Sequence, residues 1–145
     1  MSLDVRPLRG GDRAAWEPLA RGYKTFYETP TPDEAFEAAW QRILRAREVR
    51  GLAAWDGGAM VGIAHYLFHA NAWDPLACYL QDLFTVPQAR GRGIARALID
   101  AVADDARREG ATRYYWLTQE HNKTARMLYD KVAQYKGFIR YDYPL

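Results

Sequence analysis

Serine is all but missing from this chain: Ser2 is the only one in 145 residues. A serine hydrolase would have no nucleophile to use, so that chemistry is excluded. Cysteine is nearly as scarce. Cys78 stands alone, which rules out an intramolecular disulfide and any cysteine-rich zinc or iron-sulfur site and points to a reducing compartment, the cytoplasm. No apolar run approaches the ~20 residues needed to cross a bilayer, and the N-terminus lacks the apolar core of a signal peptide. Neither membrane association nor export is expected. An excess of one charge is lacking as well. Twenty Lys and Arg against 18 Asp and Glu leave a net charge of +2, too small to imply nucleic acid. Any anion site must therefore be local.

What is present is core material. Hydrophobic residues make up 49% and aromatic residues 14% of the chain, with five Trp and ten Tyr. That mixture buries a sizeable core, and the length predicts a single domain over residues 1–145.

Residues 3–8 alternate apolar and polar and predict a strand that ends at Gly10 and Gly11. Asp12 predicts the N-cap of a helix to about Tyr27, with Pro18 kinking it early. Thr31-Pro32-Asp33-Glu34 reads as a capping box with proline at the first helical position, opening a second helix towards Arg47. Segments 51–56 and 59–70, joined by Gly57-Gly58, predict an antiparallel hairpin. Residues 78–86 form a buried strand halted by Pro87, and Ile94 to Gly110 a third helix. A strand at 111–118 then pairs in parallel with 78–86 through a right-handed crossover. Asn122 to about Gln134 is a fourth helix and residues 138–145 a terminal strand. This is an α/β order, a mixed sheet with helices on its faces.

The loop Gln88-Ala89-Arg90-Gly91-Arg92-Gly93 lies between a buried strand and a helix N-terminus. Backbone N–H groups and the positive end of the helix dipole converge there on an anion. Gly91 and Gly93 let the backbone approach a diphosphate, and Arg90, Arg92 and Arg96 add positive charge. A P-loop is excluded because no Gly-Lys-Ser/Thr ends the segment. A dinucleotide fingerprint fails at Arg96, where glycine or alanine is required.

The run Gln88 to Ala95 resembles the Gln/Arg-x-x-Gly-x-Gly/Ala motif of the GCN5-related N-acetyltransferase (GNAT) superfamily. Asn122-Lys-Thr-Ala125-Arg-Met-Leu-Tyr129 is similar to that superfamily's second signature, and Gly137-Phe138 follows it. Residues 65–68, 79–84 and 115–120 look like the branch containing fungal histone and polyamine acetyltransferases. The resemblance implies a mixed, mostly antiparallel sheet with a splayed parallel pair and helices on both faces. It also implies acetyl-CoA as cosubstrate, without a metal, and direct transfer to a primary amine in a ternary complex. The acceptor is a small amine, a polyamine, an amino acid or a lysine side chain.

By that resemblance the cofactor lies between strands 78–86 and 112–118. Its pyrophosphate rests on Gln88, Arg90, Gly91, Arg92, Gly93, Ile94, Ala95 and Arg96, and its pantetheine arm on the backbone of Phe84, Thr85 and Val86. Tyr129 protonates the departing thiolate, and Asn122 contacts the cofactor or the splayed backbone. A phenol near pKa 10 facing a thiol near 8.5 makes that transfer close to balanced. The attacking ammonium must lose a proton, and Asp82 and Glu120 are the candidate bases. Strand alternation puts Asp82 on one face with Leu80 and Phe84. Where the branch often has glutamate, Gln81 stands here. Tyr23, Tyr27 and Glu28, from the first helix, are candidate acceptor-binding residues. His65, His69 and Cys78 read as packed residues rather than as metal ligands or a nucleophile. The alternation over 138–143 predicts edge pairing with a second copy, a homodimer. An acyl-CoA-binding module without turnover is the competing reading.

Overall fold

The computed structural model describes residues 2–145. Five strands form one sheet in chain order: β1 (Leu3–Pro7), β2 (Val49–Asp56), β3 (Ala59–His69), β4 (Ala77–Thr85) and β5 (Arg113–Trp116). The first four are antiparallel to their neighbours, and β5 runs parallel to β4. Helices α1 (Arg13–Phe26) and α2 (Asp33–Arg45) cover one face, packing Trp16, Leu19, Phe36, Trp40 and Ile43 onto Ala53, Ile63 and Phe84. Helices α3 (Ile94–Glu109) and α4 (Lys123–Val132) serve the other. There Leu98, Val102 and Ala106 meet Ala64, Tyr66, Cys78 and Leu80, and Leu128 and Tyr129 lie at the margin.

Two glycines set how closely helix and sheet approach. A Cβ on Gly22 of α1 would fall 2.8 Å from the Phe84 ring, and one on Gly62 of β3 2.8 Å from Ile94. Both faces of the sheet are thereby drawn tight beside β4.

The helix starts differ from the sequence expectations. Asp12 precedes α1 but makes no forward cap; its carboxylate instead accepts from the Arg9 N–H at 2.8 Å and pairs with Arg6 at 2.9 Å. The helix continues unbroken through Pro18. The capping box at Thr31 does not form, because Pro32 itself is the N-cap and the Thr31 hydroxyl donates to Thr29 O. Helix α2 stops at Arg45, closed by Ala46 in the left-handed region.

The expected terminal strand is absent. Residues 133–145 leave α4 without strand pairing to any of the described residues, and Phe138, Ile139, Tyr141 and Tyr143 are 70–87% exposed. Alternation specifies which side chains share a face, but a strand exists only where a neighbour accepts its backbone hydrogen bonds.

Candidate active site

Strands β4 and β5 pair only from Ala77 to Leu80 and from Arg113 to Trp116, and then part. The Val86 N–H donates to Val61 O at 3.0 Å, so by alternation Val86 and Phe84 turn their amides towards β3. Leu83 and Thr85 turn theirs into the gap. This corrects the expectation that Phe84 and Val86 lend backbone groups there, and it adds Leu83. The Thr85 carbonyl accepts from Arg90 Nε at 3.2 Å, while its buried hydroxyl has no partner.

The gap narrows to a small crevice where Tyr23 of α1 and Tyr27 at its C-cap meet Gln81, Leu83, Trp116 and Tyr129. Tyr129 and Trp116 pack edge to face at 5.4 Å. Burial, with Tyr27 adding to it, pushes the Tyr129 phenol up to about 12, so it stays protonated at neutral pH. Asn122 caps α4, its Oδ1 accepting from Ala125 N and its Nδ2 donating to Thr118 Oγ1 at 3.4 Å. It thereby ties the end of β5 to the helix that carries Tyr129.

After β4, Pro87–Ala89 make a 3-10 turn on which Gln88 is exposed. Gly91 and Gly93 then take φ of 79° and 80°, a region that favours glycine. A Cβ at either would meet nothing, so conformation rather than crowding requires them. Ile94 buries its side chain beneath the turn. The first N–H groups of α3, at Ile94, Ala95 and Arg96, have no acceptor within the helix and are free for an anion. Arg90 lies over the Phe26 and Phe84 rings, Arg92 lies 3.9 Å from Asp56, and Arg96 lies 3.9 Å from Asp100.

A larger cavity of about 330 Å³ opens between α1, α2 and the β3–β4 surface. Trp16, Phe36 and Ile43 form apolar wall, His65 and Asp82 sit on the strand side, and Lys24 and Arg42 line it from the helices. Among the described residues neither Lys24 nor Arg42 has an ion-pair partner. Tyr23 and Gln81 line both spaces, so the cavity abuts the splay at that point.

Asp82 reaches this cavity through an irregularity. The β3–β4 register slips between His65 and Tyr66, where Gln81 is the extra residue of a bulge. Leu80 consequently belongs to the α3 face, and Asp82 and Phe84 to the α1–α2 face, against the expectation of one shared face. Burial alone would raise the Asp82 carboxyl, but the hydrogen bond from His65, helped by Tyr23 and Lys24, holds it below the usual carboxylate range. His65 Nδ1 lies 2.9 Å from Asp82 Oδ2.

Two expected residues lie elsewhere. Glu120 is exposed in the turn after β5 and lines neither space, because the strand ends four residues earlier at Trp116. Glu28 has φ of 51° just beyond the end of α1 and is likewise exposed. Cys78 is fully buried with its thiol pushed up to about 12 by desolvation, which suits packing and not nucleophilic attack. Sequence reading missed Lys24 and Arg42, which carry no motif. It also did not find the contact of Trp16 with His65.

The chain matches the acetyltransferase (GNAT) family over residues 16–134. It is 33% identical to the D-amino-acid N-acetyltransferase HPA3 of Saccharomyces cerevisiae, covering 89% of this chain and 83% of that protein. It is 29% identical to the thialysine N-epsilon-acetyltransferase of Mus musculus, over 80% of this chain and 68% of that protein. In fold it is similar to the structure of AAC(6')-Iy in complex with a bisubstrate analogue, with TM-score 0.89, 20% identity and coverage of 100% and 99%.

Proposed function

This chain belongs to the acetyltransferase (GNAT) family and is an acetyl-CoA-dependent N-acetyltransferase, and from that premise we propose that its acceptor is the amino group of a free amino acid, attacked directly in a ternary complex. One observation carries the choice of acceptor: the cavity that abuts the splay holds one carboxylate, Asp82, and two unpaired cations, Lys24 and Arg42. A polyamine needs acids along its length, whereas a zwitterion needs one acid and at least one base. The apolar wall of Trp16, Phe36 and Ile43 suits a hydrophobic side chain. The yeast relative named for D-amino acids is compatible with this reading.

Acetyl-CoA supplies the activated acetyl group. The loop residues Gln88 and Arg90–Arg96 hold its diphosphate, and the N–H groups of Leu83 and Thr85 face its arm and polarise the reacting carbonyl. Asp82 receives the acceptor's ammonium and passes its proton to cavity water. The freed nitrogen lone pair forms the new C–N bond as the C–S bond breaks, and the second proton lost from that nitrogen ends on the departing sulfur as the thiol. Tyr129 donates to the departing sulfur. With its phenol at about 12, it acts chiefly as a strong hydrogen-bond donor, since full transfer to a thiolate near 8.5 is uphill.

Thiol release from acetyl-CoA, measured against D- and L-amino acids, their amides, spermidine, an aminoglycoside and a lysine peptide, tests the acceptor. Free amino acids are expected to exceed their amides by about tenfold in kcat/KM. A preference for spermidine would overturn the assignment. The measurement belongs with the single domain at 1–145 in a reducing cytoplasm, the setting the composition favours.

The exposed segment 138–143 supports a homodimer in which it pairs with a strand edge of a second copy; among the described residues β5 is bonded only to β4. Light scattering giving twice 16.6 kDa is the expected result, and a monomer mass at micromolar concentration removes the proposal.

A further inference from the structure

Behind Asp82 lies a chain of hydrogen bonds that the reaction itself does not require. Trp16 Nε1 donates to His65 Nε2 at 2.9 Å, and His65 Nδ1 lies 2.9 Å from Asp82 Oδ2. Trp16 is 1% exposed and His65 7%. Trp16 is clamped in turn by Trp40, their ring centroids 4.9 Å apart. The three hydrogen-bonding residues come from α1, β3 and β4, so only the packed fold brings them together.

The chemistry of the indole decides the rest. Indole N–H donates only, so Nε2 of His65 must present a lone pair. A neutral imidazole then carries its proton on Nδ1, which donates to Asp82. An imidazolium would set N–H against N–H and lose the indole bond. The order of partners also separates this set from a hydrolytic triad, where the imidazole faces substrate and the carboxylate lies behind it. Here the carboxylate faces the cavity and its imidazole is backed by a group that blocks proton uptake.

We propose that Trp16 and His65 are positioning residues, the indole locking the imidazole tautomer that donates to Asp82 Oδ2 and leaves Oδ1 for the acceptor's ammonium. The inference rests on Asp82 as the group that receives the amine. The titratable and charged groups facing His65 across the cavity are Tyr23 and Lys24 from α1, Arg42 from α2 and Asp82 from β4. From β2, Gly51 pairs with His65 and Val49 lines the same cavity, and neither carries a charge.

The tautomer is read without turnover, by long-range proton–nitrogen correlation on protein labelled with nitrogen-15 histidine at about pH 7. The expected pattern is Nδ1 protonated and Nε2 bare at His65. An Nε2–H tautomer or an imidazolium overturns the proposal, and a failure of the acceptor assignment alone would leave this pattern untouched. The kinetic arm uses Trp16→Phe, which keeps an aromatic ring but removes the donor. Freed of the indole, Nε2 of His65 is open to a proton, and an imidazolium there offsets the charge of Asp82, so KM for the amine rises about fivefold from pH 7.5 to 6 relative to the parent, with kcat little changed. A KM ratio independent of pH overturns it. Should Trp16→Phe fold poorly, His65→Leu and His65→Asn keep the test open. The leucine variant is expected to lose about tenfold in kcat/KM, and asparagine, which retains a donor to Asp82, to recover most of it. Equal losses in the two variants also overturn the proposal.

Discussion

A buried aspartate, Asp105, and a half-buried one, Asp82, sit on opposite faces of the sheet, and their surroundings differ in one decisive way. Asp105, on α3, accepts from the Tyr66 hydroxyl at 2.6 Å, from Arg50 at 3.0 Å and from Arg108 at 3.3 Å. Burial would raise its carboxyl, yet Tyr66 and Arg50 hold it below the usual range. Asp82 is also held low against burial, but by His65 and Tyr23, with Lys24 contributing only through its charge. Asp105 already has its cations. Asp82 is held by an imidazole locked neutral and a phenol, and it has a 330 Å³ cavity in front of it. A buried carboxylate whose counter-charge comes from the fold serves stability, whereas one kept anionic beside an open space is set to take a cation from outside.

The comparison can be broken at either end. Asp82→Asn is expected to lower kcat/KM by about 10²–10³ while unfolding free energy moves by less than about 1 kcal/mol; a comparable loss of stability would erase the contrast. Asp105→Ala should do the reverse, costing about 3 kcal/mol in denaturant unfolding because Tyr66 and Arg50 lose their acceptor, with kcat/KM of the folded fraction nearly unchanged. Tyr129→Phe should lower kcat by about tenfold to a hundredfold and leave acetyl-CoA affinity, read by calorimetry, within about twofold. Arg42→Met should raise KM about tenfold for amino acids and leave it unchanged for their amides, placing the carboxylate contact on α2.

The smallest effect concerns pH. A carboxyl depressed in the folded state stabilises above its unfolded pKa, near 3.9, and that contribution is lost as pH falls through the folded value. Acid unfolding of the parent below about pH 4 should therefore be steeper than that of Asp105→Asn. Parallel acid limbs would show that Asp105 is not depressed.

The diphosphate loop was legible in the sequence because its parts are contiguous. Gly91 and Gly93 with φ near 80°, the halt at Pro87 and the start of α3 at Ile94 all follow from local backbone requirements. The cap of α4 at Asn122, seven residues before Tyr129, is local in the same sense. The acceptor cavity was not legible. Asp82 faces it because a bulge at Gln81 reverses the alternation, and nothing in the residue types of 79–84 announces a bulge. The terminal segment failed differently: its pattern is that of a strand, but no edge within the described residues receives it.

The sequence by itself determined the order of strands and helices as far as α4, the family and the anion loop, since each depends on side-chain period or on backbone freedom over a few neighbouring residues. Tertiary structure alone decided which charges share the acceptor cavity and which tautomer His65 adopts. Those depend on α1, α2, β3 and β4 packing to within hydrogen-bond distance, with Trp16 and His65 separated by 49 positions along the chain. A contact of that range is set by the packing of the whole fold, and no local pattern encodes it.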